Sequence, residues 1–404
     1  VIFQTLDDKK NCVGIYYGSN LIFDASLPEN ISSTWSYSSF LKNKNINYAN
    51  IFCNGKSLEE VCPEDLKNDW NNINKVLRSH INACQISKIS LKENCFFDLV
   101  PSIFLIKYCD LKNKITEHVL NTYKKPIEYT FLKRFTELLT DIEHRNLKID
   151  LHKMHNKLYK ESANNFYKKL NDNKSYINYN MFGSITGRLT VNKDSFPVLT
   201  FPKQYRNVLL PTNDWFISLD MNAAELRTAL ALAGMKQPVG DFHQWSVTEI
   251  YDNELDRAKA KETTTSWLYN SNSINALKYD SKLSKIFDKD KLKSIYWSDG
   301  CVRTPFNRNI ESDEYHAISY LNQSTFIDLF HRQIIKVDDY LQDKKSFVAF
   351  MIHDELILDV TEDEKEYLVD IIKILQNTPY GVFPVNVKAG KNFGEMKKLN
   401  LKVE

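Results

Sequence analysis

The sequence predicts an α+β chain, and three stretches carry that reading. "DWFISLDM" (214–221) is an apolar strand, with an acid near its end, and "AAELRTALALAG" after it has a helical period and stops at Gly234. "FVAFMIHDELILDV" (347–360) reads as two apolar strands with a tight turn at His353-Asp354. Phe131, Leu132, Phe135, Leu138, Leu139 and Ile142 form a strong amphipathic helical pattern, so helices and strands occupy separate stretches.

The chain has 404 residues, enough for roughly two or three domains. Hydrophobic residues at 43% and charged residues at 26% give a globular rather than a disordered balance. A net charge of +2 argues for no partner, but its distribution does. From Lys148 to Arg206 there are eleven Lys or Arg against four acids, which suits either a polyanion-binding stretch or a solvated helix face. The seven cysteines are odd in number and lack CxxC spacing, which argues against zinc and against a disulfide framework and points to a reducing cytoplasm. No signal peptide and no bilayer-length apolar run occur, so no membrane partner is expected. The first residue is Val1 rather than Met, which reads as a piece of a longer protein.

Taken in order, residues 1–125 mix short alternating runs ("NCVGIYYGSNLIFDA") with helical stretches ("LKNDWNNINKVLRSHI"), a small α/β unit. "KKPIEY" (124–129) marks a boundary near 125. The helical pattern from Phe131 is expected to continue past "LKID" (147–150) to about Leu170, before the polar, turn-rich "NDNKSYINYN" (171–180). Residues 252–270 read as a polar helix.

Acids interrupt the two apolar stretches. If the strands bearing Asp220 and Asp354 are neighbours in one sheet, both carboxylates project from its edge towards a common point. Such a pair repels unless a cation joins it. Oxygen-only ligands with open positions suit Mg²⁺, and two such ions are the usual engine of phosphoryl transfer. Taken singly, turn chemistry explains Asp354-Glu355 and a helix-proximal acid explains Asp220. Asn222 to Glu225 has capping-box spacing, or else Glu225 stands beside the metal site and excludes a bulky substituent. Arg257, Lys261, Thr265 and Tyr269 recur at steps of four along one helix face, where two cations and an aromatic can hold a triphosphate and stack on a base. A solvated face with a stray Tyr is the plainer account. His243 in "GDFHQW" means nothing alone, and Arg188 in "GSITGRLTVNKDSFPVL" (183–199) sits on a loop suited to a minor groove or a phosphate.

In this order the segments resemble the family A DNA polymerases, the polymerase I family. "DMNAAELR" resembles the family's first palm motif, "RAKAKETTTSWLY" its fingers helix and "HDEL" its second palm motif. "TGRL" followed by Pro-Xaa-Leu is similar to the primer-template loop, "GDFHQW" to the Asp-Xaa-His before the fingers, and "GCVRTPFNR" to the segment leading back to the palm. Gln323 falls where the family has Gln-Gly-Thr. The resemblance covers about 128–404. Met221 to Ala224, Thr265, Asn270 and Ser319 depart from the usual residues.

The resemblance implies a minimal, phage-type member: a right-hand polymerase with an antiparallel palm sheet (186–235 and 301–404), helical fingers (236–300) and a reduced thumb (128–185). It implies template-directed addition of dNTPs to a primer 3′-hydroxyl on primer-template DNA, with two Mg²⁺ ions held by Asp220 and Asp354. Lys261, Arg257 and His243 then face the triphosphate, Tyr269 the nascent pair and Glu225 the sugar. Thr265 sets the use of dideoxynucleotides, Arg188 and Gln323 sense the minor groove, and His353 positions the primer end. A short thumb implies a partner clamp or helicase for long products. The rival readings are a single-subunit RNA polymerase and a catalytically inactive nucleic-acid-binding protein. Residues 1–127 resemble a degenerate 3′–5′ exonuclease domain, since "LDDKK", "IFDAS", "SLEEVCPEDL" and "FFDLV" all lack the Asp-Xaa-Glu spacing that activity needs.

Overall fold

The computed structural model describes residues 4–6, 14–23, 27–53, 56–91, 94–157, 161–171, 175–193, 195–269, 274–399 and 401. The chain divides into two units, Val1–His144 and Arg145–Glu404. Among the described residues, no helix is long and apolar enough to cross a membrane. Asn270, Asp7, Asp8 and Asp24 of the sequence reading lie outside the described residues.

The first unit joins short strands to three long helices. Ile15–Tyr17 and Asn20–Ile22 form a hairpin because Gly18 and Ser19 both take positive φ, 55° and 63°, the geometry a two-residue turn requires. Helices Glu64–Ile86, Ser102–Thr122 and Tyr129–His144 follow. Tyr108 stacks on Trp70 with ring centroids 6.0 Å apart, and the Lys112 ammonium sits 3.6 Å over Trp35. Burial pushes that lysine down to about 7. Cys95 is disulfide-bonded, a departure from the reduced set expected, whereas Cys53, Cys62, Cys84, Cys109 and Cys301 form no disulfide.

The helix that begins this side of Phe131 ends at His144 rather than running on to Leu170. Tertiary pairing overrides the helical pattern. Lys148–Ile149 pairs as a strand with Leu209–Leu210, and the Asp150 carboxylate accepts from the His152 amide at 3.2 Å to start a 3-10 segment, Leu151–Lys157. Helix Glu161–Asn171 is then a separate element.

The second unit is organised by a five-stranded antiparallel sheet in the spatial order Phe347–Ile352, Glu355–Val360, Trp215–Met221, Val385–Gly390, Lys397–Lys398. The two strands and the tight turn at His353-Asp354 lie where the sequence put them. Phe216, Phe350 and Phe393 meet edge to face within its core, and helix Ala317–Leu341 packs against the edge strand. Helix Ala224–Leu232 follows the central strand directly, with Gly234 at φ 79° just beyond its end. Among the described residues, helices Phe242–Glu249, Arg257–Leu268, Ile274–Lys278, Asp280–Phe287 and Lys289–Tyr296 gather around buried Phe242, Tyr251, Trp267, Leu283 and Phe287. The helix expected over 252–270 starts only at Arg257, because Asp252 and Asn253 take positive φ and Asp256 caps the helix by accepting from the Lys259 amide at 2.8 Å.

Strand Phe347–Ile352 lies at the edge of the sheet and carries a bulge between Val348 and Phe350. Buried Tyr179 supplies the missing partner: its hydroxyl donates to the Met351 carbonyl at 2.5 Å and accepts from the Met351 amide at 2.9 Å. Tyr179→Phe should therefore cost about 1–3 kcal/mol, since two buried backbone groups lose their partner. Urea unfolding of the two proteins measures this, and equal midpoints would mean that another group or water satisfies Met351.

Candidate active site

The register of the central strand places the acids. Asp220 stands opposite Glu355 on one neighbouring strand and Asn386 on the other. Asp354 occupies the turn immediately before Glu355, exposed, while Asp220 is half-buried. The turn closes because His353 takes φ 54°, a left-handed conformation that costs a non-glycine residue on the order of 1–3 kcal/mol. Asp220, Asp354, Asn386, Glu225, His243, Arg257, Lys261, Thr265 and Tyr269 line one cleft of about 310 Å³.

Burial raises the Asp220 carboxyl above its ordinary value. The Asn386 amide, donating at 3.2 Å, works against that, and the charges of Asp354 and Glu355 add to it. Glu355 accepts from the Ser218 hydroxyl, whereas Asp354 has no hydrogen bond or ion pair among the described residues. Two neighbouring carboxylates without a bonded cation form a hard, oxygen-only donor set, which fits a divalent ion such as Mg²⁺. Among the described residues, no group of three or more His, Cys, Asp or Glu is arranged to hold a metal.

Across the cleft the four-step face is intact. Arg257 opens helix Arg257–Leu268, Lys261 and Thr265 follow, and Tyr269 is its C-cap. Arg257 is not free: Nε and Nη2 donate to Asp241 at 3.0 and 2.6 Å. Asp241 also accepts from the Gln244 amide at 2.8 Å and from Asn222 at 3.0 Å. Burial would raise its carboxyl, but these donors outweigh it and hold the group well below the usual range. Lys261 is exposed and makes no hydrogen bond or ion pair among the described residues.

The capping-box reading of Asn222 and Glu225 does not hold. The N-cap of the helix is Ala223 at φ 51°, with no side-chain cap bond. Asn222 instead binds Asp241 and accepts from the Phe242 amide at 3.1 Å. Glu225 accepts from Arg188 through one oxygen and from the Tyr269 hydroxyl through the other, and Tyr269 accepts from Asn322 at 3.2 Å. Burial and the Glu225 charge raise the Tyr269 hydroxyl far above its ordinary value. Gln323 is half-buried on the long helix and does not line the cleft, and His353 is exposed at the turn beside it. Asn386 was missed by sequence reasoning, and Asp241 entered it only within the Asp-Xaa-His of "GDFHQW", with no role of its own. Asp241 carried a local signal, an Asp three residues before Gln244 at a helix start. Asn386 carried none, because its strand joins the sheet from far along the chain.

No family model matches the chain. It is 23% identical over 275 residues to DNA polymerase I of Chloroflexus aurantiacus, a match covering 55% of this chain and 29% of that protein. The chain thus spans less than a third of that relative's length. Among solved structures it is similar to the POL domain of Pol1 from M. smegmatis in complex with DNA primer-template and dNTP, with a TM-score of 0.55, 13% identity and coverage of 72% of this chain and 76% of that one. The fold of this chain is therefore that of a polymerase I polymerase domain.

His243 is 5% exposed, lines the cleft and has its Nδ1 without a hydrogen-bond partner. Burial pushes its ring down from 6.5 to about 4. The folded protein then binds fewer protons there than the unfolded chain between those values, so this contribution to stability is present above pH 6.5 and is lost as the pH falls towards 4. An NMR titration should show His243 still neutral at pH 5.5. A midpoint near the ordinary histidine value would mean that the ring is hydrated.

Proposed function

We propose that this chain, which has the family A polymerase fold, is a template-directed DNA polymerase that adds deoxynucleotides to a primer 3′-hydroxyl. The observation that carries the reading is the convergence on one cleft of Asp220 and Asp354 from the sheet with Arg257, Lys261 and Tyr269 from the helix facing it. Acids on one wall and cations on the other suit a substrate that brings a triphosphate and needs a metal between phosphate and carboxylate.

Asp220 and Asp354 would hold Mg²⁺, which when bound acidifies the primer hydroxyl and offsets charge on the leaving pyrophosphate. Lys261, unpaired and exposed, binds the phosphates and donates a proton to the leaving group. Arg257 exchanges its bonds with Asp241 for phosphate oxygens as the triphosphate arrives. Buried His243 is neutral at physiological pH and offers one ring N–H to the same phosphates. Tyr269 packs at the nascent pair, Thr265 lies beside the sugar's 3′ position, and Glu225 occupies the space that a 2′-hydroxyl would need. Arg188 and Gln323 contact the minor groove of primer-template DNA and His353 the primer end.

The wider reading is a replication or repair enzyme of the phage type. Residues 1–127 serve as an exonuclease-like remnant without 3′–5′ activity, and 128–185 as a reduced thumb. The palm is 186–235 and 301–404, and the fingers are 236–300. A clamp or helicase supplies processivity, since fewer phosphate contacts mean weaker, more salt-sensitive binding.

Asp354→Asn should leave the fold intact and abolish primer extension, because the lost ligand is worth several kcal/mol of transition-state stabilisation. Extension within about tenfold of wild type would rule out Asp354 as a metal ligand.

Glu225→Ala should raise ribonucleotide use relative to dNTP use by about tenfold or more, as it opens space beside C2′. The helix should be little affected, since Glu225 makes no cap bond. Competition between rNTPs and dNTPs on one primer reads the ratio, and an unchanged ratio would leave Glu225 only its bonds to Arg188 and Tyr269.

A further inference from the structure

Helix Ala317–Leu341 holds the loop that carries Arg188 at two points. Fully buried Ser324 donates its hydroxyl to the Thr186 carbonyl at 2.9 Å. Four residues on, and so on the same helix face, Asp328 accepts a two-pronged pair from Arg308, at 3.1 Å from Nε and 2.7 Å from Nη2. The guanidinium held in this way lies against Gly187: a Cβ on that residue would stand 2.6 Å from Arg308 Nη2. Gly187 also takes φ 81°, so both the space and the backbone there call for glycine.

Asp328 is 2% exposed, and a carboxylate so deep is tolerated only when paired. Neither it nor Arg308 lines the cleft. Their contact with the cleft is indirect and short. The residue after Gly187 is Arg188, which reaches one oxygen of Glu225. The same long helix donates from Asn322 to Tyr269, which holds the other oxygen. One helix therefore steadies both partners of the carboxylate beside the sugar, one of them through the Arg308–Asp328 pair.

We propose that Arg308 and Asp328 are positioning residues for sugar discrimination: their ion pair seats the Gly187 backbone and so aims Arg188 at Glu225. The inference rests on the polymerase reading above. A purely structural pair would, when weakened, slow deoxy- and ribonucleotide addition alike. A positioning pair changes the ratio of the two.

Single-nucleotide extension with dNTPs and rNTPs is measured for wild type, Arg308→Lys, Gly187→Ala, Arg188→Ala and the Arg188→Ala/Arg308→Lys double variant, with a circular-dichroism melt of each. Arg308→Lys keeps the charge but loses the fork, and Gly187→Ala pushes the guanidinium aside. Each should raise the ribonucleotide-to-deoxynucleotide ratio of kcat/KM by about tenfold, and Arg308→Lys should add nothing once Arg188 is gone. If Arg308→Lys melts below the assay temperature, the Arg188→Ala/Gly187→Ala pair is compared in the same way. Ratios within about twofold of wild type, or effects of Arg188 and Arg308 that multiply independently, would overturn the inference while leaving the polymerase reading standing. A wild-type chain that extends no primer with dNTPs would overturn both.

Discussion

Everything in the second unit is referred to one ladder of hydrogen bonds, the pairing of Trp215–Met221 with the strands on either side. Trp215 to Asp220 pairs with Val360 to Glu355, and Phe216 to Met221 pairs with Gly390 to Val385. Side chains alternate across a sheet, so a slip of one residue would turn Asp220 to the face now occupied by Leu219 and expose that leucine. The slip is opposed twice, by desolvation of a carboxylate and by exposure of a fully buried leucine. The apolar residues thus specify where the acid points, although they take no part in any chemistry.

The second consequence of that ladder is the separation of charge across the cleft. Asp220 and Asp354 come from the sheet end and Arg257 and Lys261 from a helix, and neither of those two acids is paired with a cation among the described residues, whereas Glu225 is held by Arg188. Of the two helix cations Arg257 is engaged, and its partner Asp241 is bonded through Asn222 to the junction between the central strand and its helix. Buried Arg227 tightens the same junction, donating to the carbonyls of Asn222 at 2.9 Å and Pro238 at 3.0 Å. The position of the cationic helix face relative to Asp220 is therefore carried by a polar chain, Asn222 to Asp241 to Arg257, rather than by apolar packing alone. Such a chain can exchange one partner for a phosphate without exposing a hydrophobic surface, which packed leucines cannot do.

What was legible in the sequence was what local chemistry decides. The strand ending near Asp220, the helix stopped by Gly234 and the hairpin turning at His353-Asp354 each announce themselves within a dozen residues. What was illegible was decided at a distance. The helical pattern from Phe131 extends beyond the helix itself because nothing local says that Lys148–Ile149 will pair with Leu209–Leu210. Asn386 gave no signal because its partner strand is far away in sequence. The capping box failed for a different reason. Its spacing was right, but Asn222 found better acceptors and donors in Asp241 and Phe242, and Ala223 then had to enter the helix from a left-handed conformation.

That last detail bears on why strain collects where it does. Ala223 and His353 are both non-glycine residues at positive φ, and each immediately precedes or nearly precedes a residue of the cleft, Asp354 in one case and Glu225 in the other. Glycine at either position would relax the backbone but would also enlarge the set of conformations open to the unfolded chain and loosen the turn. A side-chain-bearing residue in that conformation is held by its surroundings: the two strands that close on His353, and the Asn222 hydrogen bonds that fix the entry to the helix. The strain is small beside the free energy of the paired sheet that imposes it, on the order of 1–3 kcal/mol at each site. Its effect is directional. With φ set at these two residues, the backbone direction into Asp354 and into the helix that carries Glu225 is fixed by the fold rather than by the side chains of the cleft.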